Sequence, residues 1–455
     1  MIQGTLKYKD IEFDFTLEED NLKLIPINDY KDKFQKTFRQ ELANGAYTDK
    51  DNYLEEKYLV GQRLENYQRI VMIPESKNIR TSFFSDFLYI KIQYVIYLNS
   101  QAPISRMSIY CKELNGIYDT RRTIERSNFN ENGEAEVKLK SFDKTQTENF
   151  RFVIKDKEVD CNLNISKTKI TEYPVRIRSA ITLNFEPIQD YSILQDLYNV
   201  IKKFIQYLCY RKNISIEDVN IYTSDNKQYR SIGTFEIIND DIIQEEDKIL
   251  ENRFISYEYI KKYESNILQS IVDESLYMRH IPMTYKEGRI ENEATFIMTT
   301  AAFEWEFKKL FKNGIPHSQK TIENSTNEIE NLIKNSQGKE KKIYKNLLKF
   351  ISLEGFAENL EYTCNSLNEI IYPFGKKLYE LNNEELDYKK MGERLSQQRN
   401  HFAHGDLDKE FIGLALLDLI FLKEIVYAMQ MKRFEIPNEN IKRSLNELFN
   451  AGIQL

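Results

Sequence analysis

A chain of 455 residues exceeds one ordinary hydrophobic core, and 41% hydrophobic with 30% charged side chains places it among globular proteins and excludes a fibrous or disordered class. The net charge of −7 excludes a general nucleic-acid coat, which needs excess Lys and Arg, but leaves room for an enzyme that grips RNA with a local patch. Cys111, Cys161, Cys209 and Cys364 are far apart and form no C-x-x-C, so neither a zinc site nor a disulfide framework is expected and the thiols read as reduced ones of the cytoplasm.

Met1-Ile2-Gln3-Gly4 leads directly into alternating sequence, with no signal-peptide pattern. Period-two alternation predicts strands at residues 4–9, 11–17 and 22–27, then at 87–98, 106–110, 135–139, 150–154 and 181–185. Turn signals such as Asn115-Gly116 and Asn132-Gly133 separate them, so an antiparallel sandwich or barrel-like domain is expected. Leu194, Leu197, Ile201, Phe204, Ile205 and Leu208 share one helical face and predict a helix over 191–211. Strands at 219–222 and 231–237 follow, and an acidic run around Asp240, Asp241 and Glu245 reads as a surface connection.

From about residue 256 the period becomes 3.6. Helices are predicted at 257–278, 290–312, 321–336, 339–353, 356–370, 384–402, 409–431 and 437–450, punctuated by Gly314-Ile315-Pro316, Gly338 and Pro373-Phe374-Gly375. The most apolar run, 411–429, is interrupted by Asp418, Lys423 and Glu424 and reads as a buried helix, not a membrane span. The expected fold class is a multidomain α+β protein, with a β-rich domain over 1–255 and an all-α bundle over 256–455.

Of the four histidines, His280, His317, His401 and His404, two share a six-residue window with Arg399. Gly405 suits the left-handed position past a helix end, where the dipole favours a cationic side chain and an imidazole stays chargeable near neutral pH. An arginine and a histidine suit metal-independent cleavage of RNA. The 2′-hydroxyl attacks its own phosphodiester, the imidazole moves the proton, and the guanidinium holds the phosphate. Five positions on an ideal helix rotate by roughly 140°, so the helix must end or bend inside the motif, or a second chain must complete the site. Gly405 favours the first option, and the two are compatible. Arg394 and His401 form a competing pair, but Leu395 after the arginine is apolar.

The segment Arg399-Asn400-His401-Phe402-Ala403-His404-Gly405, closing a late helix ahead of a long apolar one, resembles the motif of HEPN ribonuclease domains, in which an arginine, often followed by a polar residue, precedes a histidine by a short gap. That resemblance implies a dimerising helical bundle with two motifs facing each other across a cleft. It gives Arg399 the scissile phosphate, His404 the proton transfer and Asn400 a positioning role. A β-rich region before such a domain also resembles ApeA-type anti-phage proteins, and Ala301-Ala302-Phe303-Glu304-Trp305-Glu306-Phe307 looks like their acidic-aromatic stretch. The resemblance implies abortive defence by damage to host RNA, with tRNA, mRNA and rRNA all open as substrate, and a phage-derived trigger acting through the N-terminal domain. No cofactor, metal or membrane partner is expected.

Simpler readings stand beside these. Arg399 and His404 can be a solvated side chain and a helix cap, and Asn400 a surface residue. His401 can assist or be structural. Glu304 and Glu306 can pair with bundle arginines, or Glu304 can orient Arg399 or the histidine. Lys341, Lys342 and Lys345, with Lys339 and Lys349, form either a solvated face or an RNA-backbone track. His280 reads as a helix end and His317 as a loop residue. The whole-protein alternatives are a catalytically silent HEPN scaffold and a ligand-binding β-domain protein with a helical dimerisation tail.

Overall fold

The computed structural model describes the chain except for residues 39–52, 82–85, 130–131, 134, 169–174, 226–227, 239–242, 244, 247–252, 352–354, 404–410 and 455. The chain divides into two compact units, Met1–Ile205 with Asn213–Gln244, and Gln206–Lys212 with Glu245–Leu455. A β-rich N-terminal region is followed by a C-terminal helical bundle.

The first unit holds β1 (Ile2–Tyr8), β2 (Ile11–Glu18), β3 (Asn21–Pro26), α1 (Lys31–Phe38), β4 (Leu59–Arg63), β5 (Arg69–Thr81), β6 (Leu88–Leu98), β7 (Ile104–Cys111), α2 (Leu114–Ile117), β8 (Ile124–Phe129) and β9 (Ala135–Leu139). It continues through β10 (Phe150–Ile154), β11 (Lys157–Thr168), β12 (Arg176–Ile188), most of α3 (Ser192–Cys209), β13 (Ile216–Asp225) and β14 (Gln228–Ile237). Twelve strands run in the order β10-β11-β12-β7-β13-β14-β6-β3-β2-β1-β4-β5, and β5 returns to pair with β6. Six strands therefore close a ring, and the remainder leaves it as an open antiparallel sheet. β8 and β9 form a separate hairpin.

Alternation explains the ring. In β2 the residues Ile11, Phe13, Phe15 and Leu17 are buried while their neighbours face outward. They join Leu6, Leu22, Leu24, Ile70, Met72, Leu88 and Ile90 in one core. The β1–β2 and β10–β11 hairpins turn in two residues. Lys9 and Asp10 take φ of 48° and 57°, and Lys155 and Asp156 take 48° and 61°, the left-handed pair that matches strand twist. On the open sheet Tyr198 of α3 stacks on Phe235 of β14 at 5.4 Å and meets Tyr94 of β6 at 5.8 Å.

The second unit contains α4 (Tyr257–Ile260), α5 (Glu264–Val272), α6 (Glu293–Leu310), α7 (Pro316–Asn335), α8 (Gly338–Ile351), α9 (Phe356–Ser366), α10 (Asn368–Leu381), α11 (Tyr388–Ala403), α12 (Ala415–Arg433) and α13 (Asn438–Leu448). The central helix is α12, which packs against α6, α10, α11 and α13. Nearly every side chain from Ala415 to Met431 is buried, as expected of the apolar run. No helix among the described residues is long and apolar enough to cross a membrane.

Two local expectations change. The helix expected over 257–278 breaks into α4 and α5 and ends at Val272, so His280 does not end a helix. Pro373-Phe374-Gly375 does not punctuate; α10 runs through all three. Gly375 serves packing instead, because a Cβ there would lie 2.5 Å from the Phe421 ring of α12.

Candidate active site

One face of α11 is buried: Met391, Leu395, Gln398 and Phe402, spaced by four, three and four residues. That spacing leaves Arg399 at the rim of the bundle. On α6 the buried residues Phe296, Phe303 and Phe307 likewise leave Glu304 at the rim. The two rims meet. Arg399 Nη1 donates to Glu304 Oε1 at 2.7 Å and Nη2 donates to Oε2 at 2.8 Å. Phe356 of α9 lies beneath, with its ring centroid 5.6 Å from the guanidinium carbon. A fork-to-fork pair over an aromatic ring fixes the guanidinium plane. Arg399 keeps 39% of its side-chain surface exposed and Glu304 34%, so the pair stays accessible to a ligand.

His404 and Gly405 lie outside the described residues. The residues on either side of segment 404–410 are anchored together. Phe402 meets Phe296 at 5.3 Å and Phe411 at 5.8 Å, and Phe411 meets Phe296 at 6.0 Å. The Gln398 side-chain carbonyl accepts the Ile412 N–H at 2.8 Å. Sequence reasoning missed Gln398, Phe402 and Phe411 as parts of this arrangement. The available signal was their position: the first two continue the buried stripe of α11, and a glutamine on such a stripe needs a partner.

Arg394 sits five residues earlier and is engaged differently. Its Nε and Nη2 donate to Asp418 Oδ2 and Oδ1, both at 2.7 Å, and Tyr379 donates to the same carboxylate. Asp418 is fully buried, and burial holds its carboxyl above the usual range against the pull of Arg394 and Tyr379. Arg394 thus belongs to a core network. Glu306 does too: it pairs with Arg433 at 3.1 Å and accepts from Tyr277 N–H and Gln430 Nε2, both at 3.2 Å. Of Glu304 and Glu306 on α6, Glu306 meets a core arginine and Glu304 meets Arg399.

The remaining candidates are dispersed. Asn400 is exposed at the end of α11 and His401 is half-buried. His280 is buried in a turn, its ring 6.0 Å from those of Tyr210 and Tyr277 and 5.9 Å from that of Tyr427. Burial, with Lys423 and Lys212 nearby, pushes its imidazole down to about 3. His317 lies in the first turn of α7, not in a loop. Lys342 and Lys345 are exposed on α8 and Lys341 is half-buried. Among the described residues no hydrogen bond or ion pair joins these lysines to Arg399 or Glu304, and no cluster of three or more His, Cys, Asp or Glu is placed to hold a metal ion.

Comparison with protein-family models, with curated proteins and with solved structures found no match.

Proposed function

We propose that the chain is a metal-independent endoribonuclease of the HEPN type, with Arg399 and His404 as its catalytic pair and Asn400 positioning one of them. The observation that carries this reading is the Arg399–Glu304 fork at an exposed rim, five residues before His404. A guanidinium has five N–H donors. Glu304 takes two, and three remain for phosphate oxygens, so Glu304 is a positioning residue that presents the free edge of Arg399. The 2′-oxygen attacks the adjacent phosphorus as His404 moves its proton, and the P–O5′ bond breaks. The products are a 2′,3′-cyclic phosphate and a 5′-hydroxyl. Two positions along a helix rotate by roughly 200°, which turns His401 away from Arg399 and leaves it at most a supporting part.

A homodimer through the helical unit fits the surface beside the pair. Ile297, Met298 and Trp305 expose apolar side chains on α6 next to Glu304. Burying them against a second copy would bring two motifs to one cleft. Within this reading the substrate is a cellular RNA, tRNA included, reached in part through Lys341, Lys342 and Lys345. The role is cytoplasmic anti-phage defence, with the N-terminal unit taking a phage-derived signal.

The test is cleavage of total RNA by the purified protein in EDTA, with 3′ ends read by cyclic-phosphate capture. The proposal expects cyclic ends that vanish in His404→Ala and Arg399→Ala. Undiminished cleavage by His404→Ala would remove the assignment. No cleavage by any form, with an intact fold, would favour a binding scaffold.

A further inference from the structure

A cavity of about 320 Å³ lies within the helical unit, lined by Tyr210, Arg253, Tyr285, Arg289 and Phe449 among others. That volume is at the lower end of small-molecule sites, roughly 300–1,000 Å³. Its lining combines two chemistries. Tyr210 and Phe449 supply aromatic surface, meeting at 5.1 Å and 62°. Arg253 and Arg289 supply positive charge. The Arg253 guanidinium lies 4.1 Å from the centroid of the Tyr285 ring, a stacking that sets its plane while leaving its in-plane N–H groups for an acceptor.

Two acids near the cavity, Glu245 and Glu291, are engaged elsewhere. Glu245 accepts the N–H groups of Tyr285 and Lys286, both at 2.9 Å. Glu291 pairs with Lys423. Among the described residues neither Arg253 nor Arg289 forms an ion pair. Two guanidiniums without a carboxylate partner, facing one pocket with aromatic surface, are complementary to an oxyanion attached to a flat ring.

We infer that this cavity binds a small anion carrying a planar aromatic ring, its phosphate or carboxylate held by Arg253 and Arg289 and its ring laid against Tyr210 and Phe449. None of these residues belongs to the Arg399 rim, so the inference stands apart from the ribonuclease reading. A free nucleotide and a simple aryl acid share this chemistry.

The test is calorimetric titration of the full chain with AMP, phenyl phosphate, benzoate, adenosine and inorganic phosphate. At least one ring-bearing anion should saturate, with adenosine and inorganic phosphate weaker by about tenfold or more. AMP alone binding identifies the nucleotide source, whereas phenyl phosphate or benzoate binding as well as AMP identifies the aryl acid; either supports the site. Arg289→Ala, at an exposed position that leaves the fold intact, should weaken that ligand about tenfold, and Arg253→Ala similarly. His404→Ala should bind as the parent does, which separates this result from any failure of cleavage. Saturation by none of the ring-bearing anions up to millimolar concentration would overturn the inference. So would equal affinity in the arginine variants, or inorganic phosphate binding as tightly as the ring-bearing anion.

Discussion

Arg399 and Glu304 stand 95 positions apart in sequence and meet through two parallel hydrogen bonds, of 2.7 and 2.8 Å, at the rim where α11 crosses α6. Because both remain over a third exposed, solvent screens the pair and its contribution to folding is small, roughly 0–1 kcal/mol. Its value lies in orientation. Arg399→Ala should reduce cleavage by roughly 10²–10³-fold with little change in Tm. Glu304→Gln, which keeps the shape and one acceptor, should reduce it by about tenfold and act on kcat more than on KM. Single-turnover kinetics with circular dichroism melts would check both; an unaltered rate in Glu304→Gln would show that the fork does not orient catalysis.

The other bidentate pair should behave in the opposite way. Asp418 is wholly buried between Arg394 and Tyr379. Asp418→Ala leaves a half-buried guanidinium and a buried phenol without their acceptor, and should cost roughly 2–4 kcal/mol. Urea unfolding would measure it. A loss under 1 kcal/mol would mean that water replaces the carboxylate.

Gln398 should matter to cleavage more than to folding. Gln398→Leu keeps the buried volume but removes the acceptor for Ile412 N–H. The expected stability change is roughly 1 kcal/mol, with faster hydrogen exchange at Ile412 and a fall in kcat. Unchanged exchange at that amide would show that the phenylalanines alone hold the chain there.

Glu424 gives a pH signature. Burial pushes its carboxyl up to about 8, against an ordinary value of 4.5. The folded form keeps the proton where the unfolded chain has released it. Its contribution to stability is therefore fully present below about 4.5 and is lost as pH rises toward 8, then levels. Glu424→Gln should remove that decline. Denaturant midpoints for parent and variant across this pH interval would test it, and parallel profiles would rule it out.

Self-association should pass through α6. Trp305→Asp and Ile297→Asp place charge in the exposed apolar surface beside Glu304. Sedimentation should move from dimer to monomer, and cleavage should fall with it. A monomeric parent that cleaves RNA at full rate would exclude the shared cleft.

Much of the architecture was legible because periodicity is local. The alternation in β2, the 3.6-residue repeat of α11 and the long apolar run of α12 are visible without knowing any neighbour. What escaped depends on distant partners. β5 carries the polar stretch Glu75-Ser76-Lys77-Asn78, where its pairing with β6 slips, so it does not alternate. The turns at Lys9-Asp10 and Lys155-Asp156 adopt left-handed backbone without the glycine that marks such turns. Gly375 reads as a breaker until Phe421 is seen against it. At the rim, Arg399 and Glu304 were each visible from the sequence, and Glu304 was already the glutamate named as able to orient Arg399; that the two side chains meet came only from the packing of α6 and α11. Gln398 was legible only as a glutamine on a buried stripe, since nothing local names Ile412 as its partner.

The closed ring also bears on how copies of the chain meet. Each ring strand has neighbours on both sides, so the ring presents no long row of vacant amides to a second molecule. At the far end the sheet stops at β10, only five residues long, where Arg151 is tied to Asp160 and Glu158 on the adjoining strand. A short, charged border is a poor template for strand addition. The twelve-stranded sheet is thereby guarded at this border against sheet-to-sheet growth, which leaves the β8–β9 hairpin as the part of the unit with open edges.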